Sequence, residues 1–294
     1  MALSKKIIAQ LVELSLDGEY HHHSIDQFCK TYPELTEAEA YEGQALRVQR
    51  MEEMGHRVVG YKLGGTSLAK QKQMASTIYD KGGLTVKPTG ITYGRLMDYM
   101  LLAPDEDLSL SQLLHPKVEP EMAFIMGQDL SGPYVTAPDV MNAAEWVAPA
   151  FEIIDSRFHN FKIGSRYDAV VDNTSSARFK LGEGRKCPRE LNLANVGMCL
   201  QVNGKNTGFG AGASVMGHPA RRWLSWSGAC GKRAARALKR GTSSSLAPSL
   251  PPPQSRWATP CAPTSVVWDM SRSKLRSRKE EHPLWRLSCI VMTC

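Results

Sequence analysis

Val118-Glu119-Pro120-Glu121-Met122-Ala123-Phe124-Ile125-Met126 is the stretch on which the reading of this chain turns. Its apolar content predicts a strand. Side chains alternate across a strand, so Glu119 and Glu121 share one face while Pro120 points to the other and marks an edge or irregular strand. Two carboxylates side by side repel, and a hard divalent cation with oxygen ligands is a common way to neutralise them. A second strand, APAFEIID at 148 to 155, carries Glu152 among Ala150, Phe151, Ile153 and Ile154, a costly place for an uncompensated charge. Three glutamates suit Mg²⁺ or Mn²⁺ with open water positions. On spacing alone a second reading stays open: a solvated face for Glu119 and Glu121, and a Lys or Arg partner for Glu152.

Toward the N-terminus, Leu3, Ile7, Leu11 and Leu14 recur at helical spacing and predict an amphipathic helix ended by Asp17-Gly18. Thr36 and Glu39 form a capping box opening a second helix, with Gly55 at its end. A short buried strand at 58 to 63 runs into Gly64-Gly65-Thr66-Ser67, and STIYDKGGLTVKPTG at 76 to 90 reads as a lid loop. Beyond the glutamates, Thr136 to Trp146 reads as a capped helix with Pro138 early in it, and DAVVDNTSSARFKLG and MCLQVNGKNTGFGAGA read as further strands joined by turns. Helices first and strands later predict an α+β fold.

The 294 residues carry a net charge of +7, distributed very unevenly. Residues 221 to 294 hold 14 Lys/Arg and 3 Asp/Glu, leaving 22 and 26 for residues 1 to 220. Four of the seven cysteines and five of the six tryptophans also lie beyond 220. This break predicts a domain at 1 to 220 and a poorly ordered tail of foreign character at 221 to 294. Cys29, Cys187 and Cys199 show no metal-ligand spacing and read as idle thiols. His21-His22-His23 reads as a solvated loop. No stretch has the length of a signal peptide core or the roughly 20 apolar residues of a membrane span, so a cytoplasmic protein is expected.

Several runs together carry a resemblance: Gly60-Tyr61-Lys62-Leu63-Gly64-Gly65-Thr66-Ser67, His115-Pro116-Lys117-Val118-Glu119-Pro120-Glu121, Phe151-Glu152-Ile153-Ile154-Asp155-Ser156-Arg157, Asp172-Asn173-Thr174-Ser175-Ser176, Gly210-Ala211-Gly212-Ala213 and Gly217-His218-Pro219. In order and spacing, over nearly all of residues 1 to 220, they resemble the 2-hydroxypentadienoate hydratase and 4-oxalocrotonate decarboxylase family of the fumarylacetoacetate hydrolase superfamily. The resemblance implies N-terminal helices packed on a mixed, rolled β-sheet core, with Mg²⁺ or Mn²⁺ held by Glu119, Glu121 and Glu152 and with Lys62 as the active-site lysine. It makes Thr66, Ser67, Asp155, Asp172, Asn173, Ser175 and Arg178 candidates for contacts with a small 2-oxo dicarboxylic acid. A homo-oligomer, and a complex between decarboxylase and hydratase, are implied partners; a membrane or nucleic acid is not.

Hydratase and decarboxylase are sister lyases at neighbouring steps of the meta-cleavage of catechols in aromatic catabolism. His115-Pro116-Lys117, Asn160-Phe161-Lys162 and Ser175-Ser176-Ala177-Arg178 resemble the decarboxylase branch, whose substrate would be 2-oxohex-3-enedioate. The shared residues serve hydration of 2-hydroxypenta-2,4-dienoate equally, and that alternative stays open. A different class, a non-catalytic protein binding nucleic acid through its basic, Trp-containing tail, meets the objection that the tail's Lys and Arg lack helical periodicity and any known nucleic-acid-binding motif.

The family continues after Gly-His-Pro with strands that are missing here. Taken one base out of frame, the segment from Trp257 to Asp269 can read V-G-D-T-V-R-A-D-F-G-G-L-G, which resembles the missing motif. The run that follows gives an alternating H-V-E-V-E-V-E-V-E-E, suited to a half-buried strand. One deleted base near the Arg221 codon accounts for the whole tail, and the chain as written is expected to be inactive or unstable.

Overall fold

The computed structural model describes residues 2–66, 91–130 and 135–221, together with the backbone of 274–276 and 285–293. The expected lid at 76 to 90, Ser67 and most of the tail lie outside these residues. Among the described residues no helix is long and apolar enough to cross a membrane.

Helix α1, Lys5–Tyr20, starts at Ser4, whose hydroxyl accepts from the Ile7 amide. Its buried face is Ile8, Leu11, Val12 and Leu16, while Leu14 is half exposed, so the expected stripe is rotated by about one residue. The helix also runs past Asp17-Gly18. Gly18 lies against the His23 carbonyl and the Arg157 side chain, and a side chain there would collide with the first and crowd the second. Its role is close approach, not termination. A short helix α2, Phe28–Thr31, leads to α3, Glu37–Glu53, which opens with the expected Thr36–Glu39 capping box. Here the Glu39 carboxylate also accepts from the Leu3 amide at 2.5 Å, tying the start of the chain to α3.

Strand β1, Val58–Gly64, pairs antiparallel with β2, Thr92–Met97, so that Lys62 faces Gly94. After the short β3, Leu108–Ser109, come β4, Lys117–Met126, then α4, Ala137–Ala143, and β5, Ala144–Ile154. The expected helix from Thr136 is capped as read but is shorter, because the chain turns to strand at Ala144. Helix α5, Arg166–Val171, takes the place of an expected strand; a Ser165–Asp168 capping box starts it, and Ala169, Val170 and Val171 are buried. Strand β6, Ser176–Leu181, completes a sheet of order β4-β5-β6. The Asp155 amide donates to the Ser175 carbonyl and the Gly182 amide to the Pro149 carbonyl, so β5 and β6 run antiparallel.

Strands β7, Val196–Val202, and β8, Lys205–Ala211, form the expected hairpin. In the last 74 residues two strands are described, β9, Lys274–Arg276, parallel to β3, and β10, Trp285–Thr293, antiparallel to β7. The fold is α+β. Its contacts separate two compact units, one containing Met1–Glu121, Ala150–Lys180 and β9, the other containing Met122–Pro149 and the described residues from 181 to 221. Every residue of the site described next belongs to the first.

Candidate metal and substrate site

Glu119, Glu121 and Glu152 each offer a carboxylate oxygen, and the three oxygens lie within 4.8 Å of one another. Strand alternation puts the first two on one face of β4, and the neighbouring β5 brings the third from 31 residues further along the chain. That spread suits ligands of a single cation at the 2.0–2.6 Å typical of Mg²⁺ and Ca²⁺. The expected juxtaposition is present; Glu119 and Glu121 are only partly buried, and Glu152 also has the Lys partner that the second reading gave it.

Lys62 enters from the β1–β2 hairpin. Its Nζ is 3.1 Å from Oε1 of Glu152, with the two side chains only 10% and 8% exposed. Desolvating Glu152 alone would be prohibitive, and the ammonium offsets that cost. Three carboxylates and one ammonium leave a charge of −2, the complement of one divalent ion. The donor set, all hard oxygen, fits Mg²⁺ or Mn²⁺.

The residues expected to touch substrate divide by what they hold. The Asp155 carboxylate accepts from the amides of Leu114 and His115 at 2.9 and 2.5 Å, which fixes the entry to β4 beside the end of β5. Asp172, fully buried, pairs with the Arg157 guanidinium at 2.5 Å and accepts from the Ser15 hydroxyl at 2.8 Å. Asn173 uses both ends of its amide on the Arg95 backbone, each at 2.8 Å. Arg178 places its guanidinium 5.6 Å from the Tyr99 ring centroid. Thr66 follows the Gly64-Gly65 turn, partly exposed.

Ser175 differs from these. Its hydroxyl is buried and has no hydrogen-bond partner among the described residues. It closes a turn in which Asn173, Thr174 and Ser175 have φ of 50°, 54° and 59°. Three consecutive non-glycine residues in the left-handed region cost about 1–2 kcal/mol each. Such strain persists only where surrounding contacts over-determine it. Gly94 makes room for the turn: a side chain there would strike the hydroxyls of Thr174 and Ser176 and the Asn173 carbonyl. Gly94 is also the cross-strand partner of Lys62, so the turn packs against the strand pair that carries the lysine.

Apart from Asp172, the members of a buried polar chain were given no role in the sequence. Arg157 reaches Asp172, Asp172 reaches Ser15, Ser15 accepts from Arg47 at 2.9 Å, Arg47 pairs with Glu19, and Glu19 accepts from the Tyr99 hydroxyl at 2.9 Å. Burial, then repulsion from Arg157, lowers Arg47 to about 10, still a cation at neutral pH. The signal available in the sequence was Arg157 itself, a cation close behind an apolar strand and next but one to Asp155.

No family model matches the chain. Over 218 residues, 74% of the chain and 78% of the relative, it is 36% identical to 4-oxalocrotonate decarboxylase of Pseudomonas sp. strain CF600. It is 37% identical to 2-keto-4-pentenoate hydratase of Paraburkholderia xenovorans strain LB400 over 196 residues, 66% of the chain and 68% of the relative. Among solved structures it resembles 4-oxalocrotonate decarboxylase from Pseudomonas putida G7 complexed with magnesium and adipate, with a TM-score of 0.73 and 32% identity over 82% of the chain and 86% of that protein.

Proposed function

The chain belongs to the family of 4-oxalocrotonate decarboxylases and 2-keto-4-pentenoate hydratases, and from that premise we propose that it is a magnesium-dependent lyase decarboxylating 2-oxohex-3-enedioate. The observation that carries this reading is the meeting of Glu119, Glu121 and Glu152 within 4.8 Å, with Lys62 ion-paired to the third. Glu119, Glu121 and Glu152 would hold the ion, which when bound supplies Lewis acidity to the 2-oxo group.

The substrate is a vinylogous β-keto acid. Breaking its C5–C6 bond releases CO₂, and the electron pair moves through the alkene to the 2-oxo oxygen, which takes up a proton to give 2-hydroxypenta-2,4-dienoate. Lys62 holds a positive charge at the metal-site carboxylates, where it lowers the energy of an oxygen becoming anionic, the differential stabilisation that catalysis needs. It can also supply the proton to that oxygen. Ser175 offers the substrate an unspent hydroxyl. Asp155, Asp172 and Asn173 hold the frame around it through their contacts with backbone and with Arg157.

The last 74 residues are read as an out-of-frame replacement for family strands. A cytoplasmic location, a place in catechol meta-cleavage, and assembly with itself or with a hydratase belong to the same reading. The test is CO₂ release from 2-oxohex-3-enedioate with Mg²⁺, on the chain as written and on a frame-restored version. Hydration of 2-hydroxypenta-2,4-dienoate without CO₂ release from the diacid would make the protein a hydratase.

A further inference from the structure

The Arg157 guanidinium is nearly inaccessible and spends its donors on three separate pieces of chain. Nε donates to Oδ1 of Asp172 and Nη2 to the Asp172 carbonyl, both at 2.5 Å. Nη1 donates to the Asp155 carbonyl at 2.7 Å and to the Ser176 carbonyl at 3.2 Å. Asp172 and Ser176 are the residues on either side of the left-handed turn, and Asp155 follows β5, three positions after Glu152. The Asp155 amide in turn donates to the Ser175 carbonyl at 2.8 Å. One planar fork therefore fixes both ends of a strained turn against the strand that carries a metal-site carboxylate.

We propose that Arg157 is a positioning residue that acts through this turn, holding the Ser175 hydroxyl in register with the carboxylate cluster. The proposal rests on the reading of Ser175 as a substrate contact. A lysine could keep the charge beside Asp172 but could not span Asp172, Asp155 and Ser176 from one plane. The turn would then relax toward ordinary φ and carry the hydroxyl away. Gly94→Ala should displace the same turn through Thr174, the Asn173 carbonyl and the Ser176 hydroxyl, none of which is a partner of the Arg157 guanidinium.

The test uses the full chain with Arg157→Lys, Ser175→Ala, their double variant and Gly94→Ala. It reads kcat and KM on 2-oxohex-3-enedioate, affinity for Mg²⁺ alone, and affinity for 2-oxoadipate with Mg²⁺. Supporting positions around metal sites typically contribute about 10- to 100-fold, and kcat or 2-oxoadipate affinity should fall by that order in each single variant. Mg²⁺ affinity should hold within about twofold, and the double variant should be no worse than the poorer single one, since both changes remove the same placed hydroxyl. Multiplying defects, a silent Ser175→Ala, or a parallel loss of Mg²⁺ affinity would each overturn the proposal. If Arg157→Lys does not fold, Gly94→Ala decides alone: a defect matching Ser175→Ala supports the role of the turn, and normal kinetics and binding refute it. Should the wild-type chain turn over no substrate, the functional reading fails for the chain as written. Hydrogen exchange at the Asp155 and Ser175 amides then decides the clamp: faster exchange in Arg157→Lys supports it and unchanged exchange overturns it.

Discussion

The Lys62 ammonium lies 3.1 Å from Oε1 and 3.3 Å from Oε2 of Glu152, bridging the β1–β2 hairpin to the strand that carries the third carboxylate of the cluster. One cation thus faces both oxygens of a buried acid, and its removal has consequences for stability and for catalysis. Lys62→Ala should slow turnover by about 10²–10³, the usual effect of deleting one electrostatic stabiliser. Breaking a buried pair leaves an uncompensated charge, so the metal-free variant should lose about 3–5 kcal/mol by urea denaturation. Mg²⁺ should restore part of that loss. Equal metal-free stability of variant and wild type would mean that the pair carries no such energy.

Mg²⁺ should stabilise the wild-type protein by about 2.7 kcal/mol at one hundred times its dissociation constant. Glu119→Gln, Glu121→Gln and Glu152→Gln each remove one charged ligand, and each should weaken Mg²⁺ binding by at least about tenfold by calorimetry. Removing the ion with a chelator should abolish wild-type turnover, and a protein indifferent to both tests has no metal site here.

Glu39 predicts a pH effect with a definite sign. The Thr36 hydroxyl, then the Thr36 amide, hold its carboxyl below the ordinary glutamate range. The unfolded chain therefore binds the proton more readily, and stability rises with pH across the interval. The contribution is complete above the unfolded value of about 4.3 and is lost as pH falls through the lower folded value. Glu39→Gln should cost about 1 kcal/mol at pH 7, as loss of a capping interaction does, and less at pH 3. Urea midpoints at the two pH values measure it; an equal cost at both would refute it.

Cys29 should be inert. Burial first, then the negative charge of Asp168, pushes its thiol up to about 12. The thiolate is the reactive form, so at pH 8 only on the order of one molecule in 10⁴ is poised to react. Native protein should resist alkylation at Cys29, and Asp168→Asn should speed it. Rapid labelling of the wild type at pH 8 would contradict this.

Sequencing the gene around the Arg221 codon should reveal a missing base relative to the frame that encodes the family strands. Restoring it should replace the basic tail and raise thermal stability together with decarboxylase activity. An intact frame, with full activity of the chain as written, would make the tail a genuine part of the protein.

Local patterns made much of this protein legible before any coordinates. The alternation Glu119-Pro120-Glu121, the Thr36–Glu39 box and the hairpin of β7 and β8 depend on neighbours a few residues apart, and the structure bears them out. The rotated face of α1 and the helix at Arg166–Val171 were not legible, because which side of a helix is buried, and whether a short apolar run coils or extends, depends on what packs against it. The family resemblance could nominate Asp155, Asp172, Asn173 and Ser175 together. Only the fold separates them: the first three meet backbone, hydroxyl or charged groups from segments up to 157 positions away, as Asp172 does with the Ser15 hydroxyl, and the Ser175 hydroxyl meets none among the described residues. The sequence by itself determined which residues could bear charge and where strands would carry them. Tertiary structure decided which of those groups were already satisfied, because a hydrogen bond between distant segments exists only once the chain has brought them together.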